Sequence, residues 1–105
     1  MNLSTARKKH FRTVGHALKP VVTVADKGLT EGVINETLRA LDDHELIKVK
    51  FAVGDRTVKQ QMITELSQKT GAEVIQTIGH IALIFKPADE PNPTLSNLTR
   101  TSLND

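Results

Sequence analysis

Leu46-Ile-Lys-Val-Lys-Phe-Ala52 places Ile47, Val49 and Phe51 at alternate positions and Lys48 and Lys50 between them. A β-strand sends successive side chains to opposite faces, so this segment reads as a strand with one face on a core and two cations on the other. The neighbouring segments follow from it. Upstream, Pro20 precedes Val21-Val22-Thr23-Val24, a β-branched run bounded by the turn residues Asp26, Lys27 and Gly28, which reads as a buried strand. Between these two strands Thr30 is a helix N-cap, and Val33, Ile34, Leu38 and Leu41 recur at helical spacing up to Asp42 and Asp43. Downstream, Asp55 caps a third helix carrying Val58, Met62, Ile63 and Leu66, and Gly71 stops it. Glu73 to Ile78 and Ile81 to Lys86 then form two strands joined by Gly79 and His80, and a leading glycine suits a type II′ hairpin.

A first helix opens the chain, capped by Ser4 and ending near Gly15. Leu3, His10, Phe11, Val14 and Leu18 fall on one side of it, and Lys8, Lys9, Arg12 and His16 on the other. Arg7 lands among the apolar positions and has to snorkel past them. The element order is helix, strand, helix, strand, helix, strand, strand (αβαβαββ). The expected fold is a single α/β domain over residues 1–86, with a four-stranded mixed sheet and helices packed mainly on one face. Residues 87–105 hold three of the four prolines among Ser, Thr and Asn. They read as a flexible tail whose only sizeable apolar residues are Leu95, Leu98 and Leu103.

Composition narrows the chemistry. The 105 residues include no cysteine, so disulfides, thiol nucleophiles and cysteine-ligated zinc are excluded, and a reducing, cytoplasmic setting is expected. The longest apolar run, Ile81 to Phe85, is far too short for a membrane helix, and Met1 to Leu18 lacks a signal-peptide core. Charge is unevenly distributed. Residues 1–28 carry Arg7, Lys8, Lys9, Arg12, Lys19 and Lys27 against Asp26, a net of +5, whereas the remainder nets −3. A basic front on a nearly neutral body suits a polyanion, because clustered cations gain affinity by releasing phosphate counterions.

Two candidate binding features follow. The turn Ala25-Asp26-Lys27-Gly28 feeds the helix capped by Thr30, where backbone N–H groups and the positive helix end can meet a phosphate. Lys48 and Lys50 can extend such a track along the open side of their strand. Asp42, Asp43, His44 and Glu45 form a dense polar group, but consecutive side chains at a helix end diverge, so neither a metal site nor an acid–base site is expected there. No phosphate-binding, nucleophile-elbow or metalloprotease motif is present, and no enzymatic activity, cofactor or small-molecule substrate is expected. Phe11, Phe51 and Phe85 all fall on core faces, which disfavours base stacking on exposed rings and favours contact with backbone and shape.

HALKP (16–20), VVTVADKGLTEGV (21–33), ALDDHELIKVK (40–50) and TGAEVIQTIGHIALIFK (70–86) together resemble the bacterial YhbY family, the stand-alone form of the CRM RNA-binding domain. The resemblance implies a compact α/β domain similar to the C-terminal domain of translation initiation factor three. It further implies association with RNA, specifically 23S rRNA in precursors of the large ribosomal subunit, and a part in ribosome assembly. Plant relatives carry the domain in organellar group II intron splicing factors. The first helix and the loop after the first strand are the implied RNA surface. That loop is usually GxxG in the family, similar to the backbone clamp of KH domains, whereas here Ala25 takes the place of the first glycine. If that position needs positive φ, alanine is strained; if it is extended, alanine costs little.

The expected RNA-binding set is therefore Lys8, Lys9, Arg12 and Lys19 for phosphates, the loop Ala25, Asp26, Lys27 and Gly28 with Thr30 at the helix start, and Lys48 with Lys50. The alternative reading is a protein-interaction module recruited to assembling ribosomes through the tail leucines.

Overall fold

A computed structural model describes residues 4–98; Leu3 and Leu103 lie outside them. The elements are α1 (Thr5–Gly15), β1 (Pro20–Val24), α2 (Glu31–His44), β2 (Leu46–Phe51), α3 (Arg56–Thr70), β3 (Glu73–Ile78) and β4 (Ile81–Phe85). Local chemistry sets the helix ends. Side chains of Ser4, Thr30 and Asp55 accept hydrogen bonds from the backbone N–H groups of Arg7, Val33 and Val58, satisfying donors that a helix start leaves open. Gly71 ends α3 at φ 77°, in the left-handed conformation where a side chain would be strained, and its N–H bonds the Ser67 carbonyl at 2.9 Å.

The strands form one mixed sheet in the order β1-β2-β4-β3. β1 runs parallel to β2, as a strand–helix–strand connection requires, and β4 pairs antiparallel with both β2 and β3. The β3–β4 turn has positive φ at Gly79 and not at His80, as a type II′ turn needs.

Both faces of the sheet are packed, and they differ. On the first, Val22, Val24, Ile47, Val49, Phe51, Ala82 and Ile84 meet Leu41 of α2 and Ile63 and Leu66 of α3. On the second, Phe11 of α1 meets Leu46, Ile75, Leu83 and Phe85. Two of the three helices thus share a face, in line with the expectation, while α1 crosses to the other side. The crossing follows from strand alternation: Leu46, Leu83 and Phe85 point away from α2 and α3 and need an apolar cover of their own. For the same reason β1 is buried on one face only. Val22 and Val24 are inside, whereas Val21 and Thr23 are exposed because α1 does not reach this edge strand.

Residues 87–98, expected to be mobile, are packed as a strap at one end of the sheet. The anchor is Glu45, only 6% exposed, just after α2. Its carboxylate accepts from the Ser96 hydroxyl (2.7 Å) and the Ala88 N–H (2.9 Å). The Asn97 side chain donates to the Leu46 carbonyl at 2.7 Å, its backbone N–H donates to the His44 carbonyl at 3.0 Å, and Leu98 packs on the Phe11 cluster. His44 Nδ1 lies 2.9 Å from the Leu95 carbonyl oxygen, which can only accept, so Nδ1 is the donor. Composition does not reveal this packing, because it rests on a few directional bonds to Glu45, His44 and Leu46 and on the single apolar contact of Leu98. The dense polar group at the end of α2 thus serves the strap in part, through His44 and Glu45.

Glu45 also adopts φ 63° and ψ −49°, a sparsely populated conformation for a residue with a side chain. Glu45→Ala removes the carboxylate and keeps the strain, and is expected to cost about 1–3 kcal/mol in urea unfolding. Glu45→Gly loses the same bonds but relieves the backbone, so its loss is expected to be the smaller of the two.

Candidate functional site

On the second face, strand register arranges the side chains in rows across the sheet. The first row is Leu46, Phe85 and Glu73, the next Lys48, Leu83 and Gln76, and the last Thr23, Lys50, Ile81 and Ile78. Phe11 of α1 packs on the first row, with its ring centroid 4.6 Å from that of Phe85. Gly15 of α1 closes over Leu83, which is buried, so the second row is covered at its centre; Lys48 beside it is half-buried, and Lys50 in the last row is exposed beyond the edge of the helix. Lys50 pairs with Thr23, two residues before Ala25, which puts it next to the β1–α2 loop.

A cavity of about 160 Å³ lies where α1 meets these two rows. Leu83 and Ile81 floor it, Gly15 and His16 wall it from the helix, and Arg12, Lys48, Gln76 and Ile78 stand around it. None of its lining residues is acidic. Gly15 is what allows the close approach, since a Cβ there would lie 2.7 Å from Leu83 Cδ2. Arg12, Lys48 and Lys50, far apart in sequence, are therefore brought to one surface.

The remaining expected residues are dispersed. Lys8 points toward the opposite end of the sheet, where its Nζ is 3.9 Å from Glu73 Oε1. Lys9 is exposed on α1. Lys19 lines a separate depression with Leu18, Val21 and the strap residues Leu95 and Asn97. Ala25, Asp26 and Lys27 are exposed in a turn closed by the Gly28 N–H on the Ala25 carbonyl at 2.8 Å. Thr30 spends its hydroxyl oxygen on the Val33 N–H, so one of the helix-start donors is already taken. The loop question raised by Ala25 has a plain answer. Positive φ occurs at Gly28 (77°) and not at Ala25, so alanine at the first position is unstrained.

Sequence reasoning missed Gln76, Ile78, Ile81 and Leu83 as companions of the basic residues. Gln76 follows a register shift between Val74 and Gln76, so that it joins Ile75 on the second face and pairs with Leu83. Strict alternation from Glu73 would have sent Gln76 to the other face. Ile78, at 61% exposure, is a large apolar side chain left at the mouth of the cavity. Among the described residues, no group of three or more His, Cys, Asp or Glu is placed to hold a metal ion.

A small mixed sheet with helices on both faces, one of which leaves a cationic half uncovered, defines the structural class. The CRS1/YhbY (CRM) domain model matches residues 3–86, and the chain belongs to that family. It is 46% identical over 100 residues to a probable RNA-binding protein of Pseudomonas aeruginosa, covering 95% of this chain and 96% of that one. To an RNA-binding protein of Haemophilus influenzae it is 47% identical over 88 residues, covering 84% and 89%. Among solved structures, a hypothetical Staphylococcus aureus protein described as a candidate RNA-binding protein superposes with a TM-score of 0.73 at 27% identity, covering 85% of this chain and 93% of that one.

The loop geometry makes a direct prediction for stability. Gly28→Ala places a side chain at φ 77°, and the Cβ finds ordinary room 3.5 Å from Met62 Cε. The cost is therefore conformational, about 1–2 kcal/mol in chemical denaturation. Ala25→Gly is expected to cost less, about 0.4–1 kcal/mol, and only through greater freedom of the unfolded chain.

Proposed function

We propose that this protein binds structured RNA through the open half of the second sheet face, without catalysis. The observation that carries the reading is the convergence of Arg12, Lys48 and Lys50 on one surface beside a cavity free of acids. Cations held on a sheet and a helix meet phosphates at fixed spacing, and their affinity comes from counterion release. A-form RNA exposes phosphates and 2′-hydroxyls across a wide, shallow groove, which suits a cationic surface poor in exposed aromatic rings. Lys27 and the N–H groups at the start of α2 extend the track beyond Lys50, with Ala25, Asp26 and Gly28 shaping the turn. Lys9 and Lys19 lie on its flanks. The relatives named as RNA-binding proteins support the same reading.

The specific partner we propose is 23S rRNA in cytoplasmic precursors of the large ribosomal subunit, with the protein assisting their assembly. The family resemblance supports this choice. For the alternative, a protein-interaction module working through tail leucines, Leu98 is packed on the Phe11 cluster, which leaves Leu95, 40% exposed, as the described leucine that such docking would use.

The test is a salt titration of affinity for a structured rRNA fragment. Lys50→Ala should weaken binding to all sequences alike and lower the slope of log K against log salt by about 1. Lys8→Ala, whose ammonium is already shared with Glu73, should change the slope less. A wild-type affinity indifferent to salt would overturn the reading. Loss of cosedimentation with large-subunit precursors in Lys48→Glu/Lys50→Glu tests the ribosomal partner.

A further inference from the structure

We infer that the cavity between α1 and the sheet is a slot for one unpaired nucleobase of the bound RNA, a proposal that rests on the RNA reading above and adds a base-recognition site to it. A nucleobase has two apolar faces and a polar edge, and the cavity offers surfaces of both kinds. Leu83 and Ile81 supply an aliphatic floor for one face, and the exposed Ile78 supplies an edge of the mouth. Lys48 and Gln76 flank Leu83 on the two neighbouring strands, each in direct register with it. Gln76 is the neutral member of that pair. Its amide both donates and accepts, which is the chemistry that reads a base edge. Arg12 and Lys48 on the rim are cations that can hold the phosphates on either side of an extruded nucleotide.

The occupant is chosen by this combination. A wholly cationic groove would track backbone alone, and an apolar pit without charge would favour a protein side chain. An apolar floor inside a cationic, acid-free rim favours a base that remains attached to its phosphates. A fully paired A-form helix cannot fill such a slot, because its bases are stacked and their deep-groove edges are out of reach. Bulges, loops and ends can. The proposal thus gives the protein a preference for duplex RNA interrupted by an unpaired nucleotide, in addition to the general attraction of its cations.

Three RNA probes test it: a blunt duplex, the same duplex with a single bulged 2-aminopurine nucleotide, and the same duplex with an abasic bulge that keeps the bend but lacks the base. The base-bearing bulge is expected to bind roughly tenfold tighter than the other two, equivalent to about 1.4 kcal/mol, with a change in 2-aminopurine fluorescence on binding. Gln76→Leu is expected to abolish most of that preference while leaving duplex affinity, its salt slope and the thermal melt of the protein near wild type. Equal affinity for all three probes would overturn the slot and leave the RNA reading standing. A preference for the base that Gln76→Leu does not diminish would also overturn the slot, because the base would then be read elsewhere. Failure to bind any probe even at low salt would bring down the RNA reading and the slot together.

Discussion

The resting place of α1 on the sheet controls what the second face can do. Phe11 is seated against Phe85 at a ring-centroid distance of 4.6 Å with the planes inclined by 42°, and the Arg7 guanidinium lies 5.3 Å from the Phe11 ring centroid. A tilted aromatic pair with a cation over one ring is favourable beyond the area it buries. With Phe11 fixed there, the helix covers the row containing Leu46 and Phe85 and stops short of Lys48 and Lys50. A helix displaced toward those lysines would have to strip water from two ammonium groups, a cost that no apolar contact at this site would offset. The absent side chain at Gly15 lets the far end of the helix settle on Leu83, which turns the helix edge into a wall of the cavity.

Element type and extent were largely legible in the sequence because local rules decide them. The alternation in 46–52, the cap residues Ser4, Thr30 and Asp55, and the glycine stop at Gly71 each act within a few residues, and each appears in the structure where the spacing puts it. The two lysines of β2 were legible as a wet face for the same reason. The position of α1 was not, since nothing in its own stripe says which side of a sheet it will cover. That depends on β4, where Ala82 and Ile84 serve one face and Leu83 and Phe85 the other. A continuous apolar strand announces two covered faces, but not which helix takes each.

The rest of the candidate site was legible only as a charge imbalance. Counting cations in residues 1–28 picks out Arg12, which lines the cavity, together with Lys8, which lies near Glu73, and Lys19, which lines a separate depression. Gln76 was invisible because a one-residue slip in pairing reverses which face a side chain joins, and no turn residue marks that slip. The strap over 87–98 was invisible for a different reason. Its composition predicts disorder, and the residues that hold it by hydrogen bonds, His44, Glu45 and Leu46, lie some forty to fifty positions away in the chain. Long-range polar anchoring leaves no periodic trace.

The apolar cluster under α1 joins Phe11, Leu46, Ile75, Phe85 and Leu98, residues drawn from nearly the full span of the described chain. The layer on the other side spans less of the chain, from Val22 to Ile84, and part of it comes from β1, α2 and β2, which follow one another directly. Closing a loop costs entropy that rises with its length, so the long-range cluster has the greater closure cost to recover from its contacts. The molecule is consequently expected to have two tiers of cooperativity, in which α1 and the carboxy-terminal strap detach as a local opening while the α2–α3 layer persists. In such an opened form the whole second face would be uncovered without global unfolding.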